Sequence, residues 1–184
     1  MNYIFLAVIV IVLIAIYFGM YNSLVKSRNR VEESWAQIDV QLKRRYDLIP
    51  NLIETVKGYA EHEKKTLALV VEKRNQLTQV PEGDRNRQID ANNQLEGALK
   101  SIFALSESYP DLKADQQFKE LQQELANTEN KIAYARQLYN NTVMNFNTRI
   151  QSIPTNIIAK LQHFDEREML ETPVEERVNP KVEF

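Results

Sequence analysis

The feature that most constrains this chain is the stretch from Tyr3 to Met20, YIFLAVIVIVLIAIYFGM, eighteen residues without a charge. Wound as a helix it is about 27 Å long, close to the roughly 30 Å hydrocarbon core of a bilayer. Twelve of its residues are Ile, Leu, Val or Phe, and together they favour insertion by about 4 to 7 kcal/mol. The β-branched content would suit a strand in water. In lipid an open strand leaves backbone groups unpaired, so a helix is expected. Tyr3, Tyr17 and Tyr21 stand near the two ends, where amphipathic rings prefer the interface. A cleaved signal peptide fits poorly: no Lys or Arg precedes the run, the run is long, and Phe18-Gly19-Met20-Tyr21 is a poor cleavage site. The expectation is an uncleaved anchor over residues 1–23.

Charge orients it. Lys26, Arg28 and Arg30 follow the run closely, so the positive-inside rule places the C-terminal side in the cytoplasm and the N-terminus outside, a single pass through the cell (inner) membrane. The same three residues are the best-placed candidates for contact with anionic headgroups of the lipid bilayer.

The remainder reads as helix. Four glycines and six prolines in 184 residues leave few turns, and so favour long helices. Val31, Trp35, Ile38 and Leu42 form one stripe at four-three-four spacing, continued by Ile49, Leu52, Val56, Tyr59, Leu67 and Val70. The reading is one long helix ending near Thr78, kinked near Tyr46 by Pro50. Val80 to Asp84 is a turn. A second helix spans about Asn86 to Ser108, and a third runs from an Asp115 cap to about Ser152. The third carries the cleanest repeat, Phe118, Leu121, Leu125, Thr128, Ile132, Ala135, Tyr139, Thr142 and Phe146, the seam of a bundle or coiled coil. A short fourth helix covers about Thr155 to Phe164. The fold class is therefore all-α: a transmembrane helix, then an antiparallel bundle of about four long helices over residues 24–164. Residues 165–184 hold seven acidic and three basic side chains and read as an extended or partly disordered acidic tail.

Chemistry is scarce. The formal charge of −2 gives no support to nucleic-acid binding. With no cysteine there is no disulfide, thiolate site or lipidated cysteine. Glu61-His62-Glu63 cannot present a metal site on one helix face, because consecutive residues diverge by about 100°. His163 stands near a helix end, where the dipole favours it. No catalytic, cofactor-binding or metal residue is expected, and no cofactor. Lys43-Arg44-Arg45 reads as a solvated stretch pairing with Asp39 and Asp47, or as contact with an acidic partner. The asparagines of the third helix, Asn127, Asn130, Asn140, Asn141, Asn145 and Asn147, read as a polar network or a polar groove.

The residues also carry a resemblance. Arg28-Asn29, Val31 and Trp35, followed by IDVQLKRRYDLIPNLIETVKGYAEHE from Ile38 to Glu63, resemble the LemA family of bacterial proteins, itself related to MamQ. The blocks Tyr109 to Val143, Phe146 to Phe164 and Pro180 to Phe184 agree. The resemblance implies one N-terminal anchor and a helical bundle, in a family with no established enzymatic activity.

The first helix would project about 87 Å beyond the membrane, while a 23-residue second helix covers about 35 Å of the return. Val31, Trp35, Ile38 and Leu42 would then lack a partner in their own chain, and a bare apolar stripe usually marks an interface. The expected partners are further copies of the chain or another membrane protein, and the expected role is a membrane scaffold or assembly protein. The alternative is an accessory subunit that docks a membrane protease or quality-control complex.

Overall fold

The structure, a computed structural model, describes residues 2–60, 62–81 and 83–171. Among these there are six helices and no strand: α1 (Asn2–Tyr59), α2 (Lys64–Thr78), α3 (Arg85–Ser106), α4 (Pro110–Ala114), α5 (Gln116–Gln151) and α6 (Thr155–Leu161). The all-α expectation holds. Residues 172–184, most of the expected acidic tail, lie outside the described residues.

Two compact units are present: Met1–Gln37 with Ala135–Met169, and Ile38–Tyr134 with Leu170–Phe184. The second unit is a helical bundle. Its core joins Ile49, Leu52, Ile53 and Val56 of α1, Leu67 and Val70 of α2, Leu95, Leu99 and Ile102 of α3, and Phe118, Leu121 and Leu125 of α5. Here α1 and α5 are antiparallel, as the pairing of Arg45 with Glu129 and of Tyr59 with Asp115 requires.

In this unit the structure corrects the sequence reading of the first helix. α1 passes through Pro50 without interruption and ends at Tyr59, and α2 begins at Lys64. The turn is closed by Glu63 N–H donating to the Ala60 carbonyl at 3.1 Å, and Tyr109 Oη donates to Glu63 Oε1 at 3.3 Å. Helix propensity alone would carry the chain onward. Burial decides otherwise: turning back brings Leu67 and Val70 into the core that already holds Ile53 and Val56, whereas a straight helix would leave them in water.

The other boundaries follow local chemistry. Gly83 takes φ +94°, a conformation other residues adopt at a cost, and Asp84 then caps α3 by accepting from the Arg87 N–H at 3.1 Å. Asp115 caps α5, accepting from the Phe118 N–H at 2.8 Å. The heptad seam of α5 is buried at every position except Thr142, which is half-buried; Val143 beside it is buried instead.

Arg45 is the departure from ordinary packing. Counting three and four from Leu42 to Ile49 places residue 45 on the seam of α1, and its side chain is among the largest fully buried ones. Nη1 donates to Asn92 Oδ1 at 2.9 Å, and Nη2 pairs with Glu129. Arg44 pairs with Glu124. The Lys43-Arg44-Arg45 stretch is thus not simply solvated: two of its three cations bind glutamates of α5.

Candidate membrane-proximal site

The unit formed by Met1–Gln37 and Ala135–Met169 combines the apolar half of α1 with the features a lipid- or partner-facing site would use. α1 is long and apolar enough to cross a membrane, with a mean hydropathy of 2.8 over its most apolar window, none of which is buried by the protein. A core helix of a water-soluble domain would be covered. At Leu24 burial begins, and from there α1 packs against α5.

That packing overturns the expectation of an uncovered stripe. Val31 is fully buried and Trp35 half-buried within this unit; Ile38 and Leu42 are buried within the other. Trp35 meets Tyr139 edge to face at a centroid distance of 5.8 Å. Arg149 Nη1 donates to Ser23 Oγ at 2.6 Å, so α5 runs antiparallel to α1 here too. The physical reason is the turn between Tyr59 and Lys64. One extra reversal changes the direction of every later helix, and the third long helix comes back along α1 instead of running away from it.

Small residues on the α1 seam open a groove. Ser27 and Ser34 are buried where larger side chains would fill the helix contact, and Ser34 Oγ donates to the Val31 carbonyl at 2.8 Å. The resulting cavity of about 670 Å³ is lined by Arg30, Glu33, Thr142, Asn145 and Arg149, among others. Two guanidiniums against one carboxylate, with hydroxyls and the carboxamides of Gln37 and Asn145, suit a hydrogen-bonding anionic group. Of the three cations expected at headgroups, Arg30 lines this groove. Lys26 is exposed, and Arg28 lies 5.3 Å over the Phe164 ring. They are not one patch, since Lys26 and Arg30 share a helix face and Arg28 points away from it.

α6 and the segment after it were under-read in the sequence. His163 takes φ +53°; its N–H bonds the Lys160 carbonyl, and the Phe164 N–H bonds the Ala159 carbonyl at 2.9 Å. This is a Schellman end with histidine where glycine is usual. It throws Phe164 back against Tyr21, Phe146 and Arg28. The chain from 165 to 171 is non-helical and held down: Asn147 exchanges hydrogen bonds with the Arg167 backbone at 2.8 and 3.0 Å, and Tyr139 Oη donates to the Glu168 carbonyl. Asn147 is thus one member of the asparagine group with an assigned structural task. Among the described residues no group of three or more acidic or histidine side chains is arranged to hold a metal ion.

The other unit holds a second cavity, about 770 Å³, between the end of α1 and α2, with Ile53, Leu67, Ala68 and Val71 on its apolar wall and Lys57 and Lys64 at its edge.

The described residues define an all-α protein whose N-terminal helix is long and apolar enough to cross a membrane. Residues 34–184 match the LemA family, and the chain belongs to that family. It is 25% identical over 145 residues, 79% of its own length, to Protein LemA of Metamycoplasma hominis, and spans 66% of that relative's length.

Proposed function

We propose that the protein is a membrane-anchored, non-enzymatic scaffold or assembly protein, held by α1 in the inner membrane with its bundle in the cytoplasm. One observation carries the reading: α1 is an unbroken helix from the exposed apolar window into a packed core. The basic residues Lys26, Arg28 and Arg30 just past the apolar run support the cytoplasmic placement. The accessory-subunit reading draws on the apolar groove between α1 and α2, a surface on which a partner helix could lie.

Alkaline extraction of native membranes followed by in-cell crosslinking tests both. The scaffold reading expects full-length protein in the membrane pellet and crosslinks mainly to further copies. One stoichiometric membrane enzyme in the crosslinked product favours the accessory subunit. Soluble protein beginning after Tyr21 overturns both.

A further inference from the structure

Among the described residues, α6 leaves an apolar face without cover. Ile157 and Leu161, one turn apart on α6, are 66% and 65% exposed, Ile153 just before the helix is 84% exposed, and Ile158 and Ala159 on the opposite side are buried. Two large aliphatic side chains on one short helix, with a third just before it, are an interaction surface.

Its place in the unit says what covers it. Gln162 Nε2 donates to Tyr17 Oη at 2.7 Å, and Tyr17 lies in the last turn of the apolar run that ends at Met20. Phe164 packs on Tyr21 at 6.0 Å between centroids. The end of α6 is therefore pinned at the level where the apolar segment of α1 gives way to polar sequence. Lys160 is exposed on the same helix and Arg28 sits over Phe164, which puts cations beside the apolar face, as in helices that lie in a bilayer interface.

We propose that α6 is an interfacial helix. Ile153, Ile157 and Leu161 enter the boundary between headgroups and acyl chains of the bilayer that α1 crosses, and Lys160 and Arg28 face the anionic headgroups. This rests on the reading of α1 as a membrane span. The protein thus grips one leaflet at two points, and its polar groove, with Arg30 and Arg149, opens near the headgroups.

The chain has no cysteine, so single thiols can be placed at will. Full-length Ile157→Cys, Val10→Cys and Val40→Cys, all at exposed positions, would each carry one fluorophore in vesicles of phosphatidylcholine and phosphatidylglycerol. Quenching is then read with nitroxide placed high or deep on the acyl chain. The expected result is shallow-nitroxide quenching at Ile157 several-fold above that at Val40, with Val10 quenched by the deep nitroxide. Strong quenching at Val10 with none at Ile157 overturns the interfacial helix and leaves the anchor standing; a second copy covering the face would give that result. No quenching at Val10 overturns the anchor, and no quenching at either overturns both.

Discussion

Arg45 of α1 and Glu129 of α5 form an ion pair at a seam position of the bundle, with the arginine fully buried and the glutamate about one third exposed. Asn92 of α3 accepts a second bond from the same guanidinium, and its Nε has no partner among the described residues. One charged side chain therefore ties three helices together in a place where an aliphatic residue would pack with less desolvation.

Removing only the carboxylate strands that charge. Glu129→Gln is expected to cost about 3 kcal/mol, the low end for breaking a buried pair because Glu129 keeps some solvent. The double variant Arg45→Met/Glu129→Met should recover most of the loss or exceed the parent. Urea midpoints followed by circular dichroism in detergent would show it. Equal destabilisation of single and double variants would mean the pair contributes net stability.

The one tryptophan reports whether the stripe of α1 is covered within the chain. Trp35 stacks edge-on against Tyr139. Its emission should be blue-shifted in detergent and unchanged on dilution, because the cover is intramolecular. Trp35→Ala should cost about 2 to 3 kcal/mol, below the range for a fully buried aromatic. Tyr139→Phe keeps the ring contact and loses the bond to the Glu168 carbonyl, about 0.5 kcal/mol. Emission that shifts red on dilution would return the stripe to an interface between copies.

The turn after α1 carries a pH dependence. The Phe118 N–H, and after it the Tyr59 hydroxyl, hold the Asp115 carboxyl below its usual pKa. A carboxyl lowered by folding stabilises the folded state above its unfolded pKa of about 4. That contribution is lost as pH falls through the lowered folded value. Tyr59 is raised above its ordinary value of 10.0 by its bond to Asp115, so its share is present below pH 10 and lost as pH rises through the folded pKa. Asp115→Asn, which can still cap α5, should flatten the acid limb of a stability profile, while Asp115→Ala should also lower the plateau. An unchanged acid limb in both would remove Asp115 from the account.

His163 should be improvable. A residue other than glycine in the left-handed conformation costs about 1 kcal/mol. His163→Gly is expected to raise the thermal midpoint modestly and His163→Val to lower it, with α6 retained in the first and frayed in the second. Backbone amide exchange of Phe164, whose N–H closes the helix end, reads the difference directly.

Much of this architecture was legible in the residues. The apolar run marked α1's bare end, the heptads of α5 marked the seam, and Asp115 and the Gly83-Asp84 pair marked the starts of α5 and α3. The buried Arg45 was legible too, since three-four counting from Leu42 lands on it; polarity led to its being read as surface. The cover over Trp35 was not legible, because it depends on how many times the chain reverses. Nor was the pinning of α6 to Tyr17 and Tyr21.

The sequence by itself determined periodicity and the capable anchor, because both arise from side chains a few residues apart and from a hydropathy that needs no partner. The tertiary structure alone decided where α1 stops, which cation goes inside, and which faces remain open. Those outcomes turn on competition between distant segments for the same apolar surface, and local propensity is too weak to settle it.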